Sequence, residues 1–152
     1  MSGVAYLFAG QGSQYVGMGK GLYESFPESK AVFEKADEIL GFSLSGLMFN
    51  GPQEELTNTR NCQPAILTMS IAGWEAFRKL ISTSLEAPSF TAGLSLGEFS
   101  ALVAAEAISF EDAVYLVRRR GEFMEEEALK KPGAMLSVVG LDLQKIREIC
   151  VK

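Results

Sequence analysis

The sequence predicts an α/β fold with a largely parallel sheet, and three features lead there. Short apolar runs closed by glycine, Val4 to Phe8 and Phe90 to Gly93, have the length and composition of strands. Long stretches with apolar residues at helical spacing lie between and after them. Strand and helix signals alternate along the chain instead of separating into blocks, as in sheets whose strands are joined by helical crossovers.

In order, Val4 to Ala9 is apolar with no basic region before it. That is too short for a membrane span and wrong for a signal peptide, so it reads as a buried strand. Pro27 opens a helix whose Val32, Phe33, Ala36, Ile39 and Leu40 share a face and which Gly41 closes. Leu44 to Phe49 reads as a short helix followed by a turn at Asn50-Gly51-Pro52. Pro64 to Ile81 reads as a long helix with Ile66, Leu67, Ile71, Trp74, Phe77 and Leu80 on its apolar side. Pro88 leads into the second strand, and an Ala-rich helix follows it through Ala107. Ser109 with Asp112 is a capping-box variant that starts a helix running to about Leu129, before Pro132. Ala134 to Val139 is a further strand candidate, and Asp142 caps a last helix to Lys152. There is no internal repeat or low-complexity linker.

At 152 residues the chain can form one compact domain, burying roughly two-thirds of its unfolded surface. Hydrophobic residues make up 47% and charged residues 22%, ordinary values for a globular protein. Fourteen basic against nineteen acidic residues give a net charge of -5, which argues against nucleic acid as a partner. Cys62 and Cys150 lie far apart and form no metal-spaced pair, which suits a reducing, cytoplasmic compartment. The chain contains no histidine. Neither a Ser-His pair nor a His-based metal site can be completed within it.

Three segments carry chemistry. Phe90 to Glu98 reads strand, Gly93-Leu94-Ser95-Leu96-Gly97, then helix. A nucleophile on a tight strand-to-helix turn leaves no room for Cβ atoms two residues to either side, and the turn aims the Leu96 amide at a forming oxyanion. The plainer reading is a Gly-rich turn whose serine caps the helix. Gly10-Gln11-Gly12-Ser13-Gln14 follows the first strand. Tyr15 stands where a dinucleotide loop needs glycine, and Gly19-Lys20-Gly21 lacks the hydroxyl residue of a Walker loop, so both nucleotide readings fail. What remains is a loop at the C-terminal end of a strand, either an ordinary turn or a source of a second oxyanion donor. Leu116, Val117, Arg120, Phe123 and Met124 follow the spacing of one apolar stripe, so Arg120 points with the core-facing side while Arg119 points away and Arg118 sits near the edge. An arginine there needs an anion, either a protein carboxylate or a ligand carboxylate held bidentately.

Together with Asn61-Cys62-Gln63-Pro64-Ala65 and with Arg120-Gly121 and Met124, these segments resemble, in order and in register, the acyltransferase family of fatty acid and polyketide synthesis, and its malonyl-transferring members most. The resemblance covers essentially the whole chain. It implies an α/β-hydrolase-like acyltransferase domain, here residues 1–130, and the first strand and helix of a small ferredoxin-like subdomain at 131–152. It also implies a ping-pong reaction in which Ser95 takes malonyl from coenzyme A as an ester and passes it to the phosphopantetheine thiol of acyl carrier protein. The amides of Gln11 and Leu96 would form the oxyanion hole, Arg120 would grip the malonyl carboxylate, and Gln63 would stand close behind the site. Coenzyme A thioester and acyl carrier protein enter as substrates, with no bound cofactor and no metal.

Leu94 replaces the histidine the family usually places before its serine, a neighbour that is not the base. The family's catalytic histidine and most of the small subdomain are expected beyond position 152, so the chain alone is expected to turn over little. Two other readings compete. One is a non-catalytic module that self-associates or pairs with a complementary chain through uncovered strand edges. The other is an α/β-hydrolase-type serine esterase, which has no general need of a carboxylate clamp.

Overall fold

The computed structural model describes residues 3–81, 88–133 and 138–151. Two strands, β1 (Ala5–Phe8) and β2 (Phe90–Gly93), pair in parallel with Ala5 opposite Phe90 and Phe8 opposite Gly93. Between them run α1 (Lys20–Ser25), α2 (Pro27–Leu40), α3 (Leu44–Asn50), α4 (Gln53–Thr57) and α5 (Thr59–Ile81). After β2 come α6 (Gly97–Ala104), α7 (Phe110–Lys130) and α8 (Leu143–Cys150). The chain is thus α/β with a small parallel sheet and mostly helices. The expected strand at Ala134 to Val139 falls largely on 134–137, outside the described residues; Val138 and Val139 carry no strand.

α5 is the axis of the molecule. Its residues 61–68 are all buried, because helices cover it on both sides. On one side Phe33, Ala36, Leu44, Met48 and Leu56 pack against its Ala65 and Ala72. On the other, Ala113, Val114 and Val117 of α7 pack with Leu96 against its Cys62, Ile66, Leu67 and Ile71. Further along, Trp74 and Phe77 reach the sheet, with ring centroids 4.8 and 5.9 Å from Tyr6.

Several expectations change in the structure. α5 begins at Thr59, not Pro64, so Pro64 lies inside it. A proline there leaves the carbonyl four residues back without its helical donor, a defect that costs about 3 kcal/mol when left open. That carbonyl is Arg60 O, and Arg118 Nη1 donates to it at 3.1 Å. The far end of α5 is less covered than its apolar pattern implies: Phe77 is at the margin of exposure and Leu80 is exposed. The Ala-rich helix stops at Ala104, because Glu106 takes a left-handed φ of 57°. Glu106 N–H then donates to Val103 O and Ala107 N–H to Leu102 O, both at 2.9 Å, the double closure that usually employs glycine. β1 is not buried. Side chains alternate between half-buried and exposed in both strands, since the described helices cover only one face of the sheet. The short helices α1 and α4, six and five residues long, add to the elements expected from the sequence.

Other ends form as their sequences dictate. Gly41 closes α2 at φ 72°. Ser109 Oγ accepts from Asp112 N at 3.0 Å to start α7, and the Asp142 carboxylate accepts from Lys145 N at 3.0 Å to start α8.

Candidate active site

Ser95 stands at the junction of β2 and α6, at the C-terminal end of a parallel strand, with φ 57°. A left-handed backbone costs a non-glycine residue about 1–2 kcal/mol. Close packing imposes it here. A Cβ on Gly93 would lie 2.1 Å from the Gly97 carbonyl carbon, and one on Gly97 would lie 2.5 Å from Phe8 O. Neither contact is possible, so the two glycines let the turn close on itself and seat it against β1. Leu96 is fully buried and plugs the turn into the core, while Leu94 is 81% exposed. Gly97 N–H donates to Leu94 O at 3.0 Å, and Ser95 N–H donates to Glu98 Oε1 at 3.1 Å.

Loop 10–14 leaves the end of β1 beside this turn; a Cβ on Gly10 would be 2.9 Å from Leu94 O. Ser13 Oγ donates to Gly10 O at 3.0 Å, and Gly12 N–H donates to Gln14 Oε1 at 2.9 Å. The Gln11 side chain reaches the start of α5, donating from Nε2 to Thr59 Oγ1 at 2.9 Å. Among the described residues, neither the Gln11 amide nor the Leu96 amide donates to a backbone acceptor.

The buried stripe of α7 is Ala113, Val114, Val117 and Gly121. This corrects the expected one: Leu116 and Phe123 are 44% and 53% exposed. Arg120 sits on the flank of the stripe, half-buried, and its head crosses to the elbow. Nη1 donates to Gln63 Oε1 at 2.6 Å and Nη2 donates to Ser95 Oγ at 2.8 Å. Gln63 is fully buried, and its Nε2 lies 3.3 Å from Met124 Sδ. Its two neighbours behave differently. Arg118 pairs with Glu122, donates to Asn61 Oδ1 at 2.7 Å and lies over the Phe42 ring. Arg119 pairs with Glu122 and covers Phe123. Among the described residues, Arg120 is the arginine of the three without a carboxylate partner.

The structure therefore brings Ser95, Arg120, Gln63 and Met124 into one chain of contacts, with Leu96 inside the elbow. Gln11 flanks it but its side chain is committed to Thr59. Two contributors escaped sequence reasoning. Glu98 completes an elbow contact at the Ser-x-x-Glu spacing of a capping box, a signal that was present in the sequence. Gly121 lets α7 touch the first turn of α5: a Cβ there would lie 2.7 Å from both Arg60 Cα and Thr59 O. Nothing in the sequence around Gly121 announces that close approach. Among the described residues no group of histidine, cysteine, aspartate and glutamate side chains could hold a metal ion, and no helix is long and apolar enough to cross a membrane.

Residues 5–151 match the family model described as "Acyl transferase domain". The chain is 54% identical over 152 residues to a Bacillus subtilis (strain 168) protein named malonyl CoA-acyl carrier protein transacylase, covering 100% of this chain and 47% of that protein. It is 43% identical over 150 residues to the Escherichia coli (strain K12) protein of the same name, covering 99% of this chain and 48% of that one. Among solved structures, a malonyl-transacylase in complex with its type II PKS acyl-carrier protein superposes with a TM-score of 0.84 at 39% identity, over 99% of this chain and 48% of that one. A malonyl CoA-acyl carrier protein transacylase from Clostridium perfringens superposes with a TM-score of 0.81 at 40% identity, over 97% and 46%. The chain spans about half the length of the relatives it matches.

Proposed function

The chain belongs to the acyl transferase domain family, and from that premise we propose that it supplies the nucleophile and carboxylate-binding half of a malonyl transferase acting between coenzyme A and acyl carrier protein. The observation that carries this reading is the pair formed by Ser95, on a strained elbow, and Arg120, free of any carboxylate among the described residues and 2.8 Å from Ser95 Oγ. A malonyl thioester presents an electrophilic carbonyl and a free carboxylate a few bonds apart, and a nucleophile beside a carboxylate-binding cation can serve both ends.

In the first half-reaction Ser95 Oγ bonds to the thioester carbonyl carbon, the carbon–sulfur bond breaks, and coenzyme A leaves as a thiol bearing the proton that Ser95 gives up. In the second, the phosphopantetheine sulfur of acyl carrier protein bonds to the ester carbonyl carbon, the carbon–oxygen bond to Ser95 breaks, and Oγ regains a proton as the thiol gives one up. The amides of Gln11 and Leu96 hold the oxyanion of each tetrahedral intermediate; one such donor is worth about 10²–10³ in rate. Arg120 fixes the malonyl carboxylate, and Gln63 orients Arg120. No histidine is present to carry the proton, so the base comes from outside this chain. Residues 1–130 form part of an α/β-hydrolase-like domain, 131–152 open a ferredoxin-like subdomain, and the reaction takes place in the cytoplasm without a bound cofactor.

The test is a chimera in which this chain replaces the matching segment of the Bacillus subtilis relative. Incubated with malonyl-CoA, it is expected to gain a malonyl adduct on the peptide containing Ser95 and to pass it to acyl carrier protein. Arg120→Ala is expected to lower malonyl transfer by about 10- to 150-fold, the worth of a charge-assisted hydrogen bond, and to spare slow acetyl loading. Equal malonyl and acetyl loading before and after Arg120→Ala would remove the malonyl assignment.

A further inference from the structure

We propose that Arg120 is a latch on Ser95 that a substrate carboxylate releases, so that the same anion which is bound also frees the nucleophile; this rests on the carboxylate-binding role given to Arg120 above. The contact between Arg120 Nη2 and Ser95 Oγ is unproductive for attack. A guanidinium keeps its proton at any ordinary pH, so Arg120 cannot accept the hydroxyl proton and can only donate to the oxygen. Donation from a cation draws on the electron density with which Oγ must attack.

The geometry couples this contact to anion binding. Gln63 Oε1 holds Nη1 at 2.6 Å, and Gln63 is fully buried with Met124 Sδ against its amide, so the plane of the guanidinium is fixed from behind. A guanidinium grips a carboxylate with two parallel N–H bonds along one of two edges, Nη1 with Nη2 or Nη2 with Nε. Both edges include Nη2, the nitrogen that ends on Ser95 Oγ at 2.8 Å. Ser95 is the exposed partner and Gln63 the buried one, so an incoming anion meets the Ser95 contact first. A carboxylate is the stronger acceptor, since it brings a full negative charge to the guanidinium and takes two parallel N–H bonds where the hydroxyl takes one. Nη2 carries one hydrogen on each edge, so the latch opens when the anion takes the hydrogen now directed at Ser95 Oγ, which leaves Oγ free to turn toward a base. An acyl group without a carboxylate leaves the latch closed, so discrimination acts on the nucleophile as well as on binding.

The experiment is a titration of the 152-residue chain with malonate, followed by calorimetry, for wild type, Ser95→Ala and Ser95→Gly. Glycine accepts the left-handed backbone at 95 without strain and so guards against misfolding of the alanine variant. If serine competes for Arg120, both variants bind malonate more tightly than wild type by about tenfold or more, the worth of one hydrogen bond from a charged donor. Arg120→Ala removes binding in all backgrounds. Affinity unchanged or weakened in both serine variants overturns the latch while leaving the carboxylate site intact. Absence of Arg120-dependent malonate binding in wild type and serine variants alike overturns both.

Discussion

Cys62 lies fully buried beside loop 10–14, and burial pushes its thiol from an ordinary value of 9.0 up to about 11, with the Gly12 amide pulling weakly the other way. A thiol held neutral at physiological pH is a poor nucleophile, so Cys62 is packing, not chemistry. Iodoacetamide at pH 8 is expected to label exposed Cys150 in the native chain and to reach Cys62 only after denaturant is added, as read by peptide mass. Equal labelling of both in the native state would sink this reading. The linkage has a definite sign. The folded state holds the Cys62 proton more tightly than the unfolded one, so this contribution to stability is complete below about pH 9 and is lost as pH rises toward 11. Arg120 shows what one residue's sequence context can and cannot reveal. Helical phase alone separates it from Arg118 and Arg119, and among the described residues it is the one of the three without a carboxylate. The apolar stripe its spacing implies is broken at two members, because Leu116 and Phe123 face outward. The contact to Ser95 joins residues 25 apart in the chain and has no periodic signature.

At the scale of elements, the site depends on how closely α7 approaches the first turn of α5. Gly121 sets that distance, and its neighbours there are backbone atoms that cannot swing aside. Alanine is the better helix former by about 1 kcal/mol, so Gly121→Ala would stabilise an uncrowded α7. Overpacking at a rigid contact costs about 1–3 kcal/mol and has the opposite sign. The contact at 2.7 Å makes overpacking dominant, so Gly121→Ala is expected to lower the urea midpoint and to weaken malonate binding by drawing Arg120 away from Gln63. A raised midpoint would show that the two helices are less tightly joined than described. Elements were legible where a local signal defined them. Pro27 and Gly41 bracket α2, Ser109 caps α7, and glycine at 93 and 97 frames the elbow. They were illegible where a tertiary contact overrode the local rule. Pro64 ought to start a helix, yet α5 runs through it because Arg118 takes up the carbonyl that Pro64 strands. α6 ends at a left-handed glutamate where a glycine would have marked the stop.

For the whole molecule, the sheet is the feature that demands explanation. Parallel sheets are found almost only with both faces covered and with more than two strands. Here Leu7 and Phe90 stand 79% and 72% exposed on the bare face. Beside β2 a groove of about 290 Å³, lined by Thr91, Ala92, Gly93, Glu98, Ala101 and Leu102, runs between the strand and α6. Among the described residues an unpaired strand edge and an apolar face stand together, which invites pairing with another chain. Covering Leu7 and Phe90 would contribute about 1.5–3 kcal/mol each, large against the 5–15 kcal/mol of a typical domain. The isolated chain is therefore expected to self-associate with rising concentration in light scattering and to bind a hydrophobic dye. Leu7→Lys places a charge at the centre of the bare face and should reduce both signals without unfolding the helices, since Leu7 already faces outward. Co-expression with the unmatched remainder of the Bacillus subtilis relative should suppress association in the wild-type chain by covering the same face, and Leu7→Lys should fail to form that complex. A chain that stays monomeric at high concentration, binds no dye and forms the complex equally well with lysine at position 7 would mean that the sheet is complete as two strands.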